Sequence, residues 1–485
     1  MMENPNHSGW CYRAEGNCNM IFFSKSRRVY RILKIDVDDA CRQEDSHNEN
    51  SWRDVQRTGF LGDGATFVAS RHSTRAKYKL LVQYSACVME RLYLDYMSVP
   101  RMKLVSVSFL KDLTLGINNK RPEKRLNKEI SLCPMVLDIP DYAFLPTPFH
   151  HENTRSFMFE LKAGSVARSY RNILSQTSSS EPCPPCTTAV PCCYFCINRS
   201  LDHENKASRI CRYCPQELFS GNGKRMRRCV MYLLEDIACP GSKLRLFQDG
   251  LDITENMTGV DDIISLFSPY FHTDDSFTVM EELVALLVKC LTYAKPVTYR
   301  NESTVAILSS HPSCPSSSHY LPEGCILDIF ANAQYYGAAT VGEVQDAYET
   351  LQSYIDKDPT LVDKLCIDGP YDTGMWRLSA RPDRPVHVSE KAFSAFLVVR
   401  DYLIYRTAKD ASMLVTFQPR RPNLKLDLVS DSAVFALWDT FGTYQYVCNT
   451  AIIDLDLKPF SNMEAYLKKE WAIFDKLNSY KGKDL

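Results

Sequence analysis

The sequence predicts an α+β fold, and three observations carry that prediction. Period-two apolar text dominates the first third of the chain, and helical spacing dominates the later part. Two further strand-like runs then appear near the C-terminus.

Taken in order, residues 10–23 and 29–35 are two apolar stretches around a polar turn, a predicted hairpin. Residues 36–75 are polar and patternless, and read as an insertion or loop. Leu81, Val88, Leu92 and Tyr96 keep helical spacing within 78–99, and strand text returns at 103–109 and 156–162. The Ser/Pro/Cys-rich stretch 175–191 is poor in core residues and reads as a flexible joint, as does 309–322. Residues 279–294 are apolar but broken by Glu281, Glu282 and Lys289, so they predict an amphipathic helix rather than a membrane span. Val344, Ala347, Tyr348, Leu351, Tyr354 and Ile355 predict a helix stopped by Asp358-Pro359. Ser389 can cap another, carrying Phe393, Phe396, Leu397 and Ile404. Residues 413–417 and 451–457 are the late strands, and 463–480 form a basic amphipathic helix.

With 485 residues the chain can hold two or three domains. A net charge of −1 excludes a chain that is attracted as a whole to nucleic acid or anionic membrane, so any polyanion must meet a local basic pocket. Neither nucleic acid nor membrane is an expected partner. The polar start of the chain has no signal-peptide character, which makes the 19 cysteines most simply reduced thiols of a cytoplasmic or nuclear protein.

Four constellations carry chemistry. The most informative is Asp454-Leu455-Asp456-Leu457-Lys458. Read as a strand, it turns Asp454, Asp456 and Lys458 to one face, where Mg²⁺ and a phosphate would satisfy them. A solvated strand edge is the bland alternative. The turn Ala14-Glu15-Gly16-Asn17-Cys18-Asn19 can offer backbone N–H groups to phosphates, although with one glycine a plain hairpin turn is the better reading of these residues alone. Glu160 and Lys162 share a strand face, where the lysine could clamp phosphates or form a surface pair. Asp410, between helix and strand, is fixed by rigid flanks and can serve as a general base toward a hydroxyl. Separately, Cys193-x2-Cys196 and Cys211-x2-Cys214, with Cys183-x2-Cys186 upstream, have the spacing of a four-cysteine zinc site; reduced thiols in a packed lobe are the alternative.

In combination and in order, these segments resemble the inositol-pentakisphosphate 2-kinases. Residues 10–19 are similar to that family's W-x-Y-x-G-E-G opening, and 29–34 to the strand after it. Arg121-Pro122-Glu123-Lys124-Arg125 resembles its R-P-x-x-R, and Phe159-Glu160-Leu161-Lys162 the first half of its E-x-K-P-K. Tyr213-Cys214-Pro215, Ile367-Asp368-Gly369-Pro370, Thr407-Ala408-Lys409-Asp410 and Ile453-Asp454-Leu455-Asp456-Leu457-Lys458-Pro459 complete the series. The resemblance implies a two-lobed, kinase-like α+β fold with ATP in the cleft between lobes, divided as 1–165 and 166–485. It implies Mg²⁺-dependent transfer of the ATP γ-phosphate to the 2-hydroxyl of inositol pentakisphosphate by a monomer.

Carried over residue by residue, Gly16, Asn17, Cys18, Asn19 and Arg31 would meet the ATP phosphates, and Asp141 would lie near adenine. Glu160, Lys162 and Arg245 would contact nucleotide. Asp410 would be the base, counted with Lys162 as catalytic, and Asp454 and Asp456 would hold Mg²⁺. Arg125, Lys458 and Tyr466 would hold substrate phosphates. The departures cluster on the inositol-phosphate side. Ala163 and Gly164 replace Pro and Lys of E-x-K-P-K; Tyr194, Asn198 and Asp202 stand where Arg, His and Lys are expected; Ser242-Lys243 replaces an Asn pair. Each lost charged hydrogen bond should weaken binding by about 1.5–3 kcal/mol unless Arg199, Lys206 or Lys243 compensates. Two other outcomes stay open: a nucleotide-binding scaffold without activity, and a kinase for a less phosphorylated inositol. The resemblance also accounts for Cys193, Cys196 and Cys214 as parts of a folded lobe, leaving Cys211 as the extra thiol.

Overall fold

The computed structural model describes residues 9–36, 73–166, 193–203, 212–295, 321–419 and 434–481, except positions 17, 116, 148, 151–152, 240, 272, 274, 338, 379–380 and 443. The expected loop at 175–191, residues 309–320 of the one expected at 309–322, most of 36–75, and Cys183, Cys186, Lys206 and Cys211 lie outside these residues. The chain is mixed helix and sheet and folds as two compact units: 1–86 with 98–141, and 87–97 with 142–485.

The first unit is built on an antiparallel sheet of β1 (Trp10–Glu15), β2 (Asn19–Ser24), β3 (Arg28–Asp36), β4 (Arg101–Leu104), β5 (Lys128–Ile130) and β6 (Met135–Pro140), in the order β1-β2-β3-β6-β4, with β5 also on β3. Helices α1 (Thr74–Tyr84) and α2 (Val107–Thr114) join it. Period-two alternation divides β3 between two cores. Tyr30 and Ile32 pack with Met20, Phe22, Leu110 and Val136, while Leu33 packs with Tyr78, Met135 and Leu137. The Tyr78 hydroxyl accepts the Leu33 N–H at 2.9 Å, and Trp10 stacks on Tyr30 with centroids 3.8 Å apart. The strand expected over 103–109 stops at Leu104. Ser106 accepts the Phe109 N–H and caps α2 instead, so a hydroxyl at the N-cap overrode the apolar run.

The second unit carries an antiparallel sheet in the order β11-β12-β10-β7-β8-β9. Its elements in chain order are β7 (Phe157–Leu161), α3 (Tyr194–His203), α4 (Pro215–Leu218), α5 (Gly223–Glu235), β8 (Leu244–Gln248), β9 (Leu251–Asp252), α6 (Val260–Phe271), α7 (Ser276–Thr292), α8 (Ile326–Gln334), α9 (Val341–Lys357), α10 (Glu390–Asp410), β10 (Ser412–Pro419), β11 (Val434–Trp438), β12 (Gln445–Ile453) and α11 (Met463–Lys481). β7 is buried throughout and pairs with β10 and β8, so the expected division at 165 falls inside this unit. Phe157, Phe159, Phe267 and Phe417 pack ring against ring over the sheet. Thr340 and Glu343 form a capping box on α9, and Ser389 caps α10. α10 buries Phe393, Phe396, Val399 and Leu403 against Val344 and Leu351 of α9.

The strand expected over 451–457 is corrected. β12 ends at Ile453, and Asp454 takes the left-handed conformation at φ 63°, which turns the chain out of the sheet. Aspartate tolerates that region better than most residues. The roles of Asp454, Asp456 and Lys458 are therefore set by an irregular segment and not by strand alternation.

Candidate active site

In the second unit the site grows from one junction. α10 ends at Asp410, and two residues later Ser412 opens β10 opposite Ile453, the last residue of β12. This register brings Asp410 and Asp454 to the same end of two paired strands. Each carboxylate then finds a lysine. Lys458 Nζ is 2.7 Å from Asp410 Oδ2, and Lys162 Nζ is 3.4 Å from Asp454 Oδ2. Both aspartate side chains keep 43% exposure, enough to face a ligand. Burial pushes the Asp410 carboxyl up, but Lys458, Lys409 and Arg406 outweigh it and hold it below the ordinary aspartate range. Asp410 is thus ionised at neutral pH.

Glu160, buried on β7, completes the cluster. The Ser412 hydroxyl lies 3.0 Å from Glu160 Oε1 and 3.0 Å from Asp454 Oδ2. One hydroxyl proton cannot serve two carboxylates. Burial, and then Asp454, push the Glu160 carboxyl up, while Lys162 and Arg245 pull the other way. Arg245 lies directly across the ladder from Glu160 on β8, half-exposed and 4.0 Å from Asp252. Glu160, Lys162, Arg245 and Asp454 are therefore brought together. Asp456 contributes differently: its carbonyl accepts the Thr407 hydroxyl at 2.9 Å. The Asp368 carboxylate accepts the Phe460 N–H at 2.9 Å, so the Ile367-Asp368-Gly369-Pro370 segment anchors the chain just past Lys458.

The sequence departures have physical counterparts. Gly164 has φ +73°, and a Cβ there would lie 2.4 Å from the Phe195 ring. A lysine at this position is excluded by both backbone and packing. The same ring has Lys243 Nζ 5.6 Å and the Arg199 guanidinium 5.7 Å from its centroid. Tyr194 supplies no cation in place of the expected arginine; its hydroxyl accepts a hydrogen bond from the buried Lys409 ammonium at 3.2 Å. Glu470 takes Lys409 and Arg406, each at 3.0 Å, and Arg406 lies 4.6 Å over the Tyr466 ring. Burial, offset in part by Glu470, brings the Lys409 ammonium down to about 8.

In the first unit, Gly16 N–H bonds to the Asn19 carbonyl at 2.9 Å, closing the hairpin turn; Cys18 is exposed, Asn19 is buried, and Asn17 lies outside the described residues. Arg31 sits in mid-β3, between Ile21 and Leu137. The Asp141 carboxylate, expected near adenine, receives both Arg13 terminal nitrogens at 2.7 Å. Glu15 takes Lys34 at 2.6 Å and Arg121 through Nε at 2.9 Å. Arg121 also reaches the carbonyls of Arg125 at 2.7 Å and Lys128 at 2.5 Å, so it fixes the loop that presents Arg125.

Residue-by-residue reading missed Ser412 and the Glu15–Lys34–Arg121 cluster. Glu15 and Arg121 lay inside recognised motifs, so motif membership was available for them; nothing local marked Ser412.

A family model described as inositol-pentakisphosphate 2-kinase matches residues 12–472. A protein of that name from Danio rerio is 23% identical over 504 aligned positions, covering 97% of this chain and 93% of its own. One named inositol-pentakisphosphate 2-kinase IPK1, from Oryza sativa subsp. indica, is 25% identical over 492 positions, covering 97% and 95%. A Drosophila melanogaster protein of the same family name is 33% identical over 113 positions, 23% of this chain. With a match spanning nearly its whole length, the chain belongs to the inositol-pentakisphosphate 2-kinase family.

Proposed function

We propose that this chain is a working phosphotransferase that moves the γ-phosphate of ATP to the 2-hydroxyl of inositol 1,3,4,5,6-pentakisphosphate, giving the hexakisphosphate. The observation that carries the proposal is the junction at Ser412, which gathers an ionised, accessible Asp410 and a second carboxylate cluster, Glu160 with Asp454, at one end of β10. Asp410 orients the acceptor hydroxyl and receives its proton as the oxygen attacks. Lys458 keeps Asp410 ionised and is placed beside it to meet a substrate phosphate. Lys162 and Arg245 contact nucleotide phosphates, and Arg125 and Tyr466 hold further substrate phosphates.

The residues present fit Mg²⁺. Two carboxylates competing for one hydroxyl proton are relieved by a hard cation, and Asp454 with Glu160 would hold it, Asp456 being the second carboxylate of the same segment. When bound, Mg²⁺ supplies neutralisation of the charge on the transferring phosphates. The kinase-like, two-lobed reading of the fold and the cytoplasmic or nuclear setting belong to this proposal; the two compact units, and free thiols at every described cysteine, support them.

A second reading, a less phosphorylated inositol as acceptor, is favoured by Tyr194, Gly164 and Glu470, which remove or neutralise cations on the substrate side. Purified full-length protein with ATP, Mg²⁺ and a panel of inositol phosphates tests both, alongside Asp410→Asn. Turnover of the pentakisphosphate, reduced about 10²–10⁴-fold in the variant, is expected. Preference for a lower phosphate selects the second reading. No product from any acceptor would leave only the scaffold, and equal turnover by Asp410→Asn would remove Asp410 from its role.

A further inference from the structure

Residues 163–166, which follow Lys162, lie outside the sheet, yet each is held by a side chain from elsewhere. The Ala163 carbonyl accepts the Tyr213 hydroxyl at 2.9 Å, and the Val166 carbonyl accepts Gln216 Nε2 at 2.8 Å. Those two ties lead to the start of α4. The remaining ties lead elsewhere. Gln334, the fully buried last residue of α8, donates from Nε2 to the Gly164 carbonyl at 3.0 Å and accepts the Val166 N–H at Oε1 at 2.8 Å. The same Nε2 lies 3.5 Å from the Ala408 carbonyl on α10. Ser165 Oγ is 2.8 Å from the Tyr405 hydroxyl, also on α10.

Two explanations compete. A buried amide is hydrogen-bonded wherever it sits, and buried Gln418 is a plain example, donating to the Thr154 carbonyl at 3.0 Å near the far end of β10. Gln334 differs in what it joins. Gly164 is two residues beyond Lys162, and Ala408 is two residues before Asp410. Carbonyls in the last turn of α10 have no partner within the helix, so a donor at Ala408 steadies the end that carries Asp410. A primary amide suits this place because it offers an acceptor and two donors in one plane. Tyr405 adds a second link. Its ring lies against the backbone of Gly337, where a Cβ would stand 2.2 Å from it, while its hydroxyl meets Ser165. The end of α8, the segment after Lys162 and the last turns of α10 are thereby locked to one another.

We propose that Gln334 is a positioning residue that, with Tyr405, sets the spacing between Lys162 on the nucleotide side and Asp410 on the acceptor side. Being fully buried, it acts through the two segments that carry those side chains. The inference rests on the phosphotransfer reading given above. In-line transfer is steep in alignment, and a misplacement of about 1 Å can cost about 10²-fold in rate. A lysine side chain is long enough to follow a bound phosphate. A loosened clasp should therefore leave ground-state binding nearly intact and lower turnover.

The test compares full-length wild-type, Gln334→Met, Tyr405→Phe and Gln418→Met proteins, each checked for folding by circular dichroism. Each is assayed with ATP, Mg²⁺ and the inositol phosphate that the wild type turns over best. Gln334→Met keeps the side-chain length and loses the polar contacts, so kcat should fall about 10–10²-fold while KM for ATP and acceptor moves less than about threefold. Tyr405→Phe keeps the ring against Gly337 and should lower kcat by about two- to tenfold in the same pattern. Gln418→Met loses a buried amide bond remote from the site and should keep kcat within about twofold; a merely structural Gln334 would behave the same way. Unchanged kcat in folded Gln334→Met overturns the inference, as does an equal loss in Gln418→Met or an effect confined to KM. Should Gln334→Met fail to fold, Tyr405→Phe decides: lowered kcat at constant KM upholds the inference and wild-type kcat overturns it. Wild-type protein that turns over no acceptor removes the phosphotransfer reading and this inference with it, whereas an active wild type with unmoved variants overturns the inference alone.

Discussion

Glu15 in the first unit and Asp410 in the second are each clasped by a lysine, at 2.6 Å and 2.7 Å. The similarity ends there. The Glu15 and Lys34 side chains have no solvent exposure, Arg121 has 4%, and Arg121 spends its remaining donors on backbone carbonyls. Asp410 keeps 43% exposure and its lysine 20%. One cluster is closed and spends its charge on holding a loop; the other is open and leaves lone pairs for a ligand. The lesson is that an ion pair marks a functional site only when its partners leave hydrogen-bonding capacity unused and reachable.

The comparison breaks most sharply at Glu15. Glu15→Gln leaves Lys34 and Arg121 charged, buried and underpaired, and should destabilise the protein by roughly 3–5 kcal/mol, read by denaturant unfolding. Burial pushes the Glu15 carboxyl up, but Arg121 and Lys34 together bring it below its ordinary range. Its stabilisation is therefore present above the ordinary glutamate pKa, near ~4.3, and lost as pH falls through the lower folded value. An acid titration of stability should flatten in Glu15→Gln. Asp410→Asn is the contrast: a large loss of turnover, with unfolding changed by less than about 1 kcal/mol because the pair is open to solvent. If both variants unfold alike, the distinction between closed and open clusters fails.

Gly164→Ala comes next. The left-handed backbone and the Phe195 ring should together cost about 1–3 kcal/mol of stability. A stable Gly164→Lys with improved turnover of the pentakisphosphate would contradict the account of a rebuilt pocket. The smallest effect sharpens the open cluster alone. Lys458→Met removes the main cation that lowers the Asp410 carboxyl, so the acid limb of kcat/KM should move to higher pH. An unmoved acid limb would separate Lys458 from the ionisation of Asp410.

Much of the scaffold was legible because helix signals are local. The spacing of Val344, Ala347 and Leu351 with the Asp358-Pro359 stop, and Ser389 with the spacing of Phe393 and Phe396, specify α9 and α10 within a few turns of chain. The late strand was legible only in part. Ile452 and Ile453 belong to β12, but Asp454 leaves it, because a left-handed residue interrupts alternation without altering the apolar pattern of Leu455 and Leu457. Asp141 was placed by motif order alone, and its bidentate pairing with Arg13, 128 positions away, has no counterpart in local text.

The sequence by itself determined the α+β class, the principal helices and the ordered series of motifs that place the chain in its family, since these depend on residue type and short spacing. Tertiary structure alone decided which charges are closed off in buried pairs and which stay exposed. The pairing of Ser412 with Ile453 joins Asp410 to Asp454, the fold of β1 onto the Arg121 loop consumes Glu15, and the Phe195 ring occupies the space beside Gly164. Those outcomes depend on contacts between residues tens to hundreds of positions apart, where burial and the direction of a hydrogen bond, not residue type, set the role of a charge.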